Sequence, residues 1–457
     1  MVVWLRPLWR TCEHLRGKIR FTQALPGANP RRKEPAGRKG RQLNVIVIGA
    51  GVVGMSTAWR LASEGHQVRV LDKAADVGTG TSFANGGQLS YSYVAPLADP
   101  SVWAQLPKLL TDPASPVQFR PGFDPFQYRW LLAFLAACNR RQATLTIDRL
   151  GMLADLSKAV LHQSEELKAI EFDWLRSGKL VVYSSAASFA GARAHADHQI
   201  AAGTDRRVLS GAEACLEVEP ALRPIAHRLV GGLFSPGDEA GDAYRFTKGL
   251  EALVTEKLGP QAVMLETPVE ALVVDKGRVR AARTGRGDME ADIFILANGM
   301  GARQLGRSAG LDLPIYPLKG YSATAPVASE SSAPTVSITD AARKVVYARL
   351  GSTVRLAGAA DLVGAGLDID RKRTARLIAD ARTDFPDAAD WQAARLWAGL
   401  RPATPTGMPI LGRKGAENLL LNVGHGALGF TLALGAADLI ARSLSGSGTP
   451  AEIAYFA

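Results

Sequence analysis

The chain has 457 residues, of which 47% are hydrophobic, and its formal net charge is +11. This length predicts two or three domains with enough residues for a large core. The charge is concentrated at one end. Residues 1–42 hold eleven of the 54 Lys and Arg and two of the 43 Asp and Glu, which leaves 43 basic and 41 acidic residues in the remainder. A nearly neutral body argues against nucleic-acid binding.

Residues 1–42 are arginine-rich and show no sustained periodicity. We expect this segment to be a disordered extension, or the result of a start assigned too far upstream. The alternative is a mitochondrial-type presequence, because such segments are rich in arginine and poor in acids.

Residues 45–54 predict a buried strand, a glycine turn and the start of a helix. In this pattern Gly49 permits the tight turn, Gly51 lets the backbone approach a pyrophosphate, and Gly54 lets the helix pack closely on the sheet. A second apolar strand follows and ends at Asp72, where an acid is placed to accept ribose hydroxyls. The spacing therefore predicts a dinucleotide site.

Two further loops are candidates for cofactor contact. Residues 78–88 are small, polar and glycine-rich, as expected for backbone that passes close to a ligand. Residues 292–296 form an apolar strand that runs into Asn298 and Gly299, a second turn at which backbone could face a cofactor.

The middle of the chain predicts a second layer of structure. The longest apolar run, 130–138, is too short to span a bilayer, which takes about 20 residues. We expect a core helix there, and the alternative is a helix at a membrane surface, since arginines flank the run. Asp242 is expected to cap a helix over 243–258. A period near two over 314–360 predicts antiparallel sheet, followed by a helix at about 371–384.

The C-terminal region carries two more candidate elements. Arg401 is the single charge among the apolar and turn residues of 397–412, and its fork would fit a carboxylate in two-point contact. The alternative is a buried ion pair with an acid of the chain. Residues 420–431 then repeat the order strand, glycine loop, helix start, which suits a negative group or an electron-rich ring.

Together these segments resemble the FAD-dependent D-amino acid oxidase superfamily. The resemblance is carried by the glycine fingerprint, by residues 399–402, and by Gly424, His425 and Gly426 with Gly429 and Thr431. Within the superfamily, residues 84–90 and 316–322 resemble bacterial D-amino acid dehydrogenases of the small-subunit type. The resemblance covers about residues 43–457.

The resemblance implies an α/β (α+β) fold with two parts. A Rossmann-like FAD-binding domain would be built from the discontinuous segments 43–98, 205–310 and 395–457. An antiparallel-sheet substrate domain, or cap, would comprise 99–204 and 311–394.

FAD is the implied cofactor, and no metal site is expected, because the cysteines and histidines show no ligand spacing. From the motifs and the resemblance together, the residues expected to contact FAD are Val45, Ile46, Val47, Ile48, Gly49, Ala50, Gly51, Val52, Val53, Gly54, Asp72, Lys73, Ser82, Asn85, Gly86, Gly87, Gln88, Val269, Asn298, Gly299, Gly424, His425, Gly426, Leu428, Gly429 and Thr431.

The implied reaction is oxidation of a D-amino acid to an imino acid, which water hydrolyses to a 2-oxo acid and ammonia. Arg401 is expected to bind the substrate carboxylate, and Tyr321 and Tyr347 are candidate pocket residues, with cross-strand packing as the alternative for both tyrosines. Three other readings stay open. They are an oxygen-using glycine or D-amino acid oxidase, a D-proline or hydroxy-D-proline dehydrogenase, and, as a non-enzyme alternative, a flavin-bearing subunit that assembles with another chain.

The expected partners are a small D-amino acid and an electron acceptor other than oxygen, for which the resemblance implies a quinone. The expected location is the cytoplasm, with peripheral contact to the inner face of the cytoplasmic membrane as a further expectation.

Overall fold

The computed structural model describes residues 41–92, 94, 96–112, 115–201, 203–445 and 450–456. The expectation for the basic extension, apart from its last two residues, lies outside this part of the chain. The strands are β1 (Asn44–Ile48), β2 (Gln67–Leu71), β3 (Gln88–Leu89), β4 (Lys179–Tyr183), β5 (Arg207–Ser210), β6 (Gly231–Ser235), β7 (Glu239–Ala240), β8 (Val263–Met264), β9 (Val269–Asp275), β10 (Arg278–Thr284), β11 (Gly287–Glu290), β12 (Ile293–Leu296), β13 (Tyr316–Pro326), β14 (Ser337–Asp340), β15 (Val345–Leu350), β16 (Thr353–Asp361), β17 (Arg395–Ala403), β18 (Ile410–Arg413) and β19 (Leu419–Val423). The helices are α1 (Val52–Ser63), α2 (Ser101–Thr111), α3 (Pro125–Ala137), α4 (Arg140–Gln163), α5 (Glu165–Lys168), α6 (Ala186–Ala201), α7 (Gly211–Val218), α8 (Ala243–Leu258), α9 (Ala302–Ser308), α10 (Arg371–Asp384) and α11 (Gly429–Arg442).

The predicted nucleotide-binding layer is a six-stranded sheet in the order β18-β19-β12-β1-β2-β8. All neighbours pair in parallel except β18, which runs antiparallel to β19. The strands β1 and β12 are almost wholly apolar and buried, as parallel strands covered on both faces must be. Helices α1, α4, α8 and α11 pack on one face, and α9 and the three-stranded sheet β11-β10-β9 lie on the other. The carboxyl ends of β1, β12 and β19 therefore meet at one edge.

The second layer is an eight-stranded sheet in the order β17-β13-β16-β15-β14-β4-β6-β5. It is antiparallel as expected, except that β14 and β4 pair in parallel. Helix α10 has the predicted bounds, and Asp242 caps α8 through bonds from the N–H groups of Tyr244 and Arg245, at 2.8 and 3.0 Å.

The expected domain boundaries do not follow these sheets. The predicted bounds assign β5, β6 and β17 to the cofactor domain, but all three strands pair in the eight-stranded sheet. They assign α4 to the cap, but Leu150 and Leu153 of this helix lie in the same core cluster as α1 and α11. A period identifies a strand or helix locally, whereas its partners come from distant parts of the chain.

The apolar run 130–138 forms most of α3, and it is buried on one side only. Trp130 is buried and donates from its indole to the carbonyl of Ala403, at 3.0 Å, whereas Leu132 is exposed. Among the described residues, no helix is both long and apolar enough to cross a bilayer.

Candidate active site

The glycine turn after β1 has the conformation that its sequence predicts. Gly49 has a φ of +115°, which an L side chain rarely adopts. A Cβ on Gly54 would overlap the carbonyl oxygen of Gly49, whereas a Cβ on Gly51 would meet only Ser82 Oγ, at 3.5 Å. Gly54 is thus needed for the close packing of α1 on the turn, and Gly51 leaves open space at the start of α1.

Asp72 and Ser82 both reach this turn. The Asp72 carboxylate accepts from Ala50 N at 2.6 Å, and Ser82 Oγ accepts from Val52 N, in the first turn of α1, at 3.1 Å. An acid and a hydroxyl therefore flank the helix N-terminus, where free N–H groups and the helix dipole favour an anion.

Two buried polar atoms at the same sheet edge have no hydrogen-bond partner within the described residues. They are Asn298 Oδ1, just beyond β12, and His425 Nε2, just beyond β19. Burial lowers the pKa of His425 to about 4, so the ring is neutral at pH 7. Leaving a buried polar atom unpaired costs about 1–3 kcal/mol, so such atoms commonly mark a ligand position.

The loop before β3 is held between the two layers. Asn85 Oδ1 accepts from Gly87 N at 2.9 Å, and Gly87 has a φ of +65°. Thr431, in the first turn of α11, accepts from Ser90 N at 3.1 Å and donates to Gln88 O at 3.3 Å. The loop is thereby tied to the helix that follows the glycine segment 424–426.

The structure also places Gln88, Val269 and Lys73, three other residues expected to contact FAD. The Gln88 side-chain amide donates to Ser337 Oγ on β14, at 2.6 Å, so its side chain is occupied by the eight-stranded sheet. Thr267 N donates to Asp72 O at 2.7 Å, which brings the start of β9, and with it Val269, toward Asp72. Lys73 is exposed.

Arg401 forms no ion pair with an acid among the residues that the structure describes. Its Nη1 donates to Ala359 O at 2.6 Å, and no carboxylate of the described residues forms a salt bridge with it. Burial lowers the pKa of Arg401, and Asp361 opposes this shift. Asp361 itself is bound by Arg373. The alternative of a buried ion pair for Arg401 is therefore wrong within this part of the chain.

A β-bulge supplies the carbonyl to which Arg401 donates. Between the pairs Lys319↔Asp361 and Tyr321↔Gly358, β16 holds one residue more than β13. Ala359 lies in this bulge with a φ of +62°, a conformation that costs about 1–2 kcal/mol for a residue with a Cβ. The strained residue presents its carbonyl to the guanidinium.

Tyr321 and Tyr347 lie on the face of the sheet opposite to the Arg401 guanidinium. The prediction that they line the substrate pocket beside Arg401 is therefore wrong. Side chains alternate along a strand, and the guanidinium of Arg401 lies against Gly320, so Tyr321 points to the opposite face. Tyr347 faces the same way, packs against Phe385 and donates to Asp384 at 3.0 Å. Both tyrosines are buried with α10, as the packing alternative proposed.

We call the face with Arg401 the loop-side face, because residues 84–87 pack on it: Ser322 Oγ donates to Ala84 O at 2.7 Å, and a Cβ on Gly86 would meet Val346 Cγ2 at 2.9 Å. The sequence interpretation missed Trp397, which shares this face because it is four residues from Arg401 in the same strand. That period-two spacing was the signal that could have identified it.

Comparison with known proteins identifies the family. The profile of the family described as FAD dependent oxidoreductase (DAO) matches residues 44–443. The chain belongs to this family. It is 44% identical to D-amino acid dehydrogenase 2 of Ralstonia nicotianae, over 87% of this chain and 96% of that protein. It is 45% identical to D-amino acid dehydrogenase 2 of Pseudomonas aeruginosa, over 88% and 94%.

Solved structures of this oxidoreductase fold resemble the chain at low sequence identity. Glycine oxidase from Bacillus cereus superposes with a TM-score of 0.67 at 17% identity, over 91% of this chain and 98% of that one. L-proline dehydrogenase from P. horikoshii gives a TM-score of 0.69 at 15% identity, over 91% and 96%. These likenesses support the fold: the mixed α/β architecture is that of the family.

The residues of this oxidoreductase fit FAD. The open space at Gly51, the anion-favouring start of α1 and Asp72 suit the pyrophosphate and a ribose. The unpartnered Asn298 Oδ1 and His425 Nε2 lie at the same edge and offer an acceptor and a neutral ring. The contact of each residue with FAD stays a prediction.

Proposed function

We propose that this chain oxidises D-amino acids with FAD, giving 2-oxo acids and ammonia. The observation that carries the proposal is Arg401, a cation with no acidic partner among the described residues, in the strand whose last residue, Ala403, bridges to His425 at the edge that fits the cofactor. A cation in such a place calls for an anionic ligand, and a substrate carboxylate matches the planar fork. The names of the curated relatives support the D-amino acid as the substrate class.

The chemistry is balanced by the cofactor and by water. When bound, FAD would supply the oxidant, the acceptor of the Cα hydrogen as a hydride. The substrate is left as an imino acid, and water replaces its nitrogen to give the 2-oxo acid and ammonia.

The protein contributes binding and orientation. The carbonyl of Ala359 holds Arg401 in place, so the guanidinium is oriented before the substrate arrives. Bidentate hydrogen bonding fixes the substrate carboxylate, so the bound substrate can rotate about few bonds. Such positioning contributes much of the rate enhancement. Tyr321 and Tyr347 are on the other face of the sheet, so this proposal assigns them no contact with substrate. An amine that binds in its neutral form needs no dedicated base.

The test is anaerobic bleaching of the flavin absorbance by D-alanine, L-alanine, glycine and D-proline, each added alone. We expect bleaching by D-alanine and none by L-alanine. Bleaching by glycine would support the glycine oxidase alternative. Bleaching by D-proline alone would support a secondary-amine substrate, and no bleaching by any of the four would overturn the proposal.

We further propose a quinone as the electron acceptor. The relatives' name, dehydrogenase, supports an acceptor other than oxygen. After reduction by D-alanine, a water-soluble quinone should restore the flavin absorbance at least about tenfold faster than air-saturated buffer. Equal or faster reoxidation by oxygen would favour an oxidase.

We also propose peripheral contact with an anionic membrane through α3 and its neighbours. Tyr128 and Leu132, one helical turn apart on α3, are exposed, and so is Trp103, whose indole donates to Cys138 O just beyond α3. Arg140 and Arg141 at the start of α4 are exposed as well. Apolar side chains beside arginines suit insertion among anionic headgroups.

A further inference from the structure

The floor below Arg401 is a pair of glycines that face each other across two strands. Gly320 of β13 is directly opposite Gly399 of β17 in the antiparallel register. Directly opposed residues lie about 4.5–5.5 Å apart between Cα atoms, and their side chains would leave the sheet on the same face. On the loop-side face this pair therefore exposes bare backbone where two side chains would otherwise stand.

Two large side chains lie down over this bare floor. A Cβ on Gly320 would come within 2.5 Å of Arg401 Nη1 and Nη2. A Cβ on Gly399 would overlap the six-membered ring of the Trp397 indole. The guanidinium covers one glycine and the indole covers its partner, so the two groups lie side by side over one glycine pair.

The strand position of Trp397 is next to the point where the glycine-rich loop is anchored. Trp397 is directly opposite Ser322, whose hydroxyl donates to Ala84 O at 2.7 Å. Trp397 is partly accessible to solvent. Trp391, by contrast, is buried in the core cluster that contains Tyr321 and α10, and its indole donates to Phe385 O at 2.8 Å. Trp397 thus places a partly accessible indole beside Arg401, which forms no ion pair with a described acid, so the indole would line the space in which a bound carboxylate lies.

We propose that Trp397 determines specificity by forming the wall that limits the size of the substrate side chain. The inference rests on the proposed function, because it takes the carboxylate of a D-amino acid to be bound by Arg401. A carboxylate on the guanidinium places Cα one bond farther out, and the rigid indole beside it then occupies volume that a large side chain needs. Small substrates fit beside the indole, and bulky substrates meet it.

Gly399 determines how the Trp397 indole lies on the sheet. It lets the indole lie flat, since any Cβ there would lift the ring from the sheet. The substitution Gly399→Ala should therefore change selectivity through Trp397, and it should add little once Trp397 is already Ala.

The experiment compares kcat/KM for D-alanine and D-phenylalanine in the FAD-loaded wild type and in Trp397→Ala, Trp397→Phe and Gly399→Ala. We expect the ratio of D-phenylalanine to D-alanine to rise at least about tenfold in Trp397→Ala and by less in Trp397→Phe. The matched control is Leu396→Ala, the neighbouring position of β17, which points to the other face and is 41% exposed. The ratio should not move in this control.

A binding measurement gives a second readout that does not depend on turnover. Propionate and 3-phenylpropionate, which carry no amine to oxidise, can be titrated against the flavin absorbance spectrum. Trp397→Ala should tighten 3-phenylpropionate relative to propionate at least about tenfold. If Trp397→Ala does not fold, Trp397→Phe and Gly399→Ala carry the test.

The outcomes separate the two proposals. If wild type is bleached by D-alanine and neither ratio changes more than twofold in these variants, the wall is wrong and the proposed function stands. If no D-amino acid bleaches the wild type, the proposed function fails, and the titration of the two carboxylates still decides whether the indole limits ligand size.

Discussion

At the scale of single residues, the site depends on groups that the fold leaves without partners. Among the described residues, Arg401 donates only to a carbonyl, and Asn298 and His425 each hold a buried atom that no described residue satisfies. Each of these groups lowers its free energy when a ligand arrives. Ligand recognition thus depends on groups that lack partners among the described residues. The strained bulge at Ala359 and the bare backbone at Gly320 hold one of them, Arg401, in place.

Replacing Arg401 by Lys should separate substrate binding from cofactor binding. A lysine keeps the charge but loses the two-point fork, which is worth about 1.5–3 kcal/mol for a bond to a charged group. We expect flavin content to be unchanged and kcat/KM for D-alanine to fall about 10- to 100-fold. Arg395→Lys, at an exposed position of the same strand, is the matched control. Unchanged kinetics in Arg401→Lys would refute the carboxylate role.

His425 should make stability depend on pH in a defined window. Its pKa is about 4 in the folded protein, below its usual value of 6.5, so the unfolded chain binds the proton more readily. The stabilising effect of the neutral ring is complete above pH 6.5 and is lost as the pH falls toward 4. The slope that one proton contributes is at most about 1.4 kcal/mol per pH unit.

The measurement is urea unfolding at saturating FAD between pH 7.5 and 4.5, for wild type and for His425→Leu. We expect the free energy of unfolding to fall more steeply in wild type than in the variant. Parallel curves would show that His425 does not titrate in this way.

At the scale of elements, function is concentrated where strands end or are interrupted. The carboxyl ends of β1, β12 and β19 meet at one edge, and a bulge in β16 and a glycine pair across β13 and β17 shape the facing sheet. Glycines are placed where the backbone must turn or accept a large neighbour.

The turn between β1 and α1 provides a test in which two similar substitutions should differ. Gly54→Ala inserts a methyl group into the Gly49 carbonyl, so we expect destabilisation by about 1–3 kcal/mol or more. Gly51→Ala has room in the protein but would project into the proposed pyrophosphate position. It should keep the fold, by circular dichroism, and lose FAD affinity at least about tenfold. Normal flavin retention in Gly51→Ala would contradict the assignment.

The glycine floor allows Arg401 to be displaced without mutating it. In Gly320→Ala the new Cβ would lie 2.5 Å from the guanidinium nitrogens, so the side chain must move. We expect KM for D-alanine to rise about tenfold while the flavin stays bound. Gly191→Ala, where the added methyl group meets nothing within 4 Å, controls for the substitution type. A normal KM in Gly320→Ala would show that the position of the guanidinium does not matter.

At the scale of the whole molecule, the two layers meet beside the proposed site. An isolated bridge pairs Ala403, at the end of β17, with His425, just beyond β19, and Ser322 of β13 ties the eight-stranded sheet to the glycine-rich loop at Ala84. The outer surface near α3 carries exposed apolar side chains beside arginines.

Flotation with liposomes tests the proposed membrane contact. The protein should float with vesicles that contain anionic lipid, less with neutral vesicles, and less at high salt, because exposed charges are screened. The double variant Tyr128→Ser/Leu132→Ser should lose most of the binding. Exposed Leu367, outside this region, provides the control Leu367→Ser. If the floating fraction contained as much wild-type protein without vesicles as with anionic vesicles, the proposal would be contradicted.

Several features were determined by the sequence alone because their causes are local. The turn at Gly49, the cap at Asp242 and the helix α10 depend on residues within a few positions, and each occurs where the pattern predicts it. The motif of the glycine turn even predicted the arrival of Asp72 beside it, since a strand, helix and strand in series have one dominant geometry.

Only the tertiary structure decided which sheet a strand joins and which face a side chain occupies. Strands β6 and β17 pair with β4 and β13, which lie about 50 residues or more away in the chain, and β5 joins the same sheet through β6, so no local pattern assigned them to a layer. Tyr321 differs from Gly320 by one step along β13, which turns it to the opposite face from Arg401. Whether Arg401 meets an acid, and whether Trp397 lies beside it, depends on cross-strand register, and register is a property of the assembled sheet.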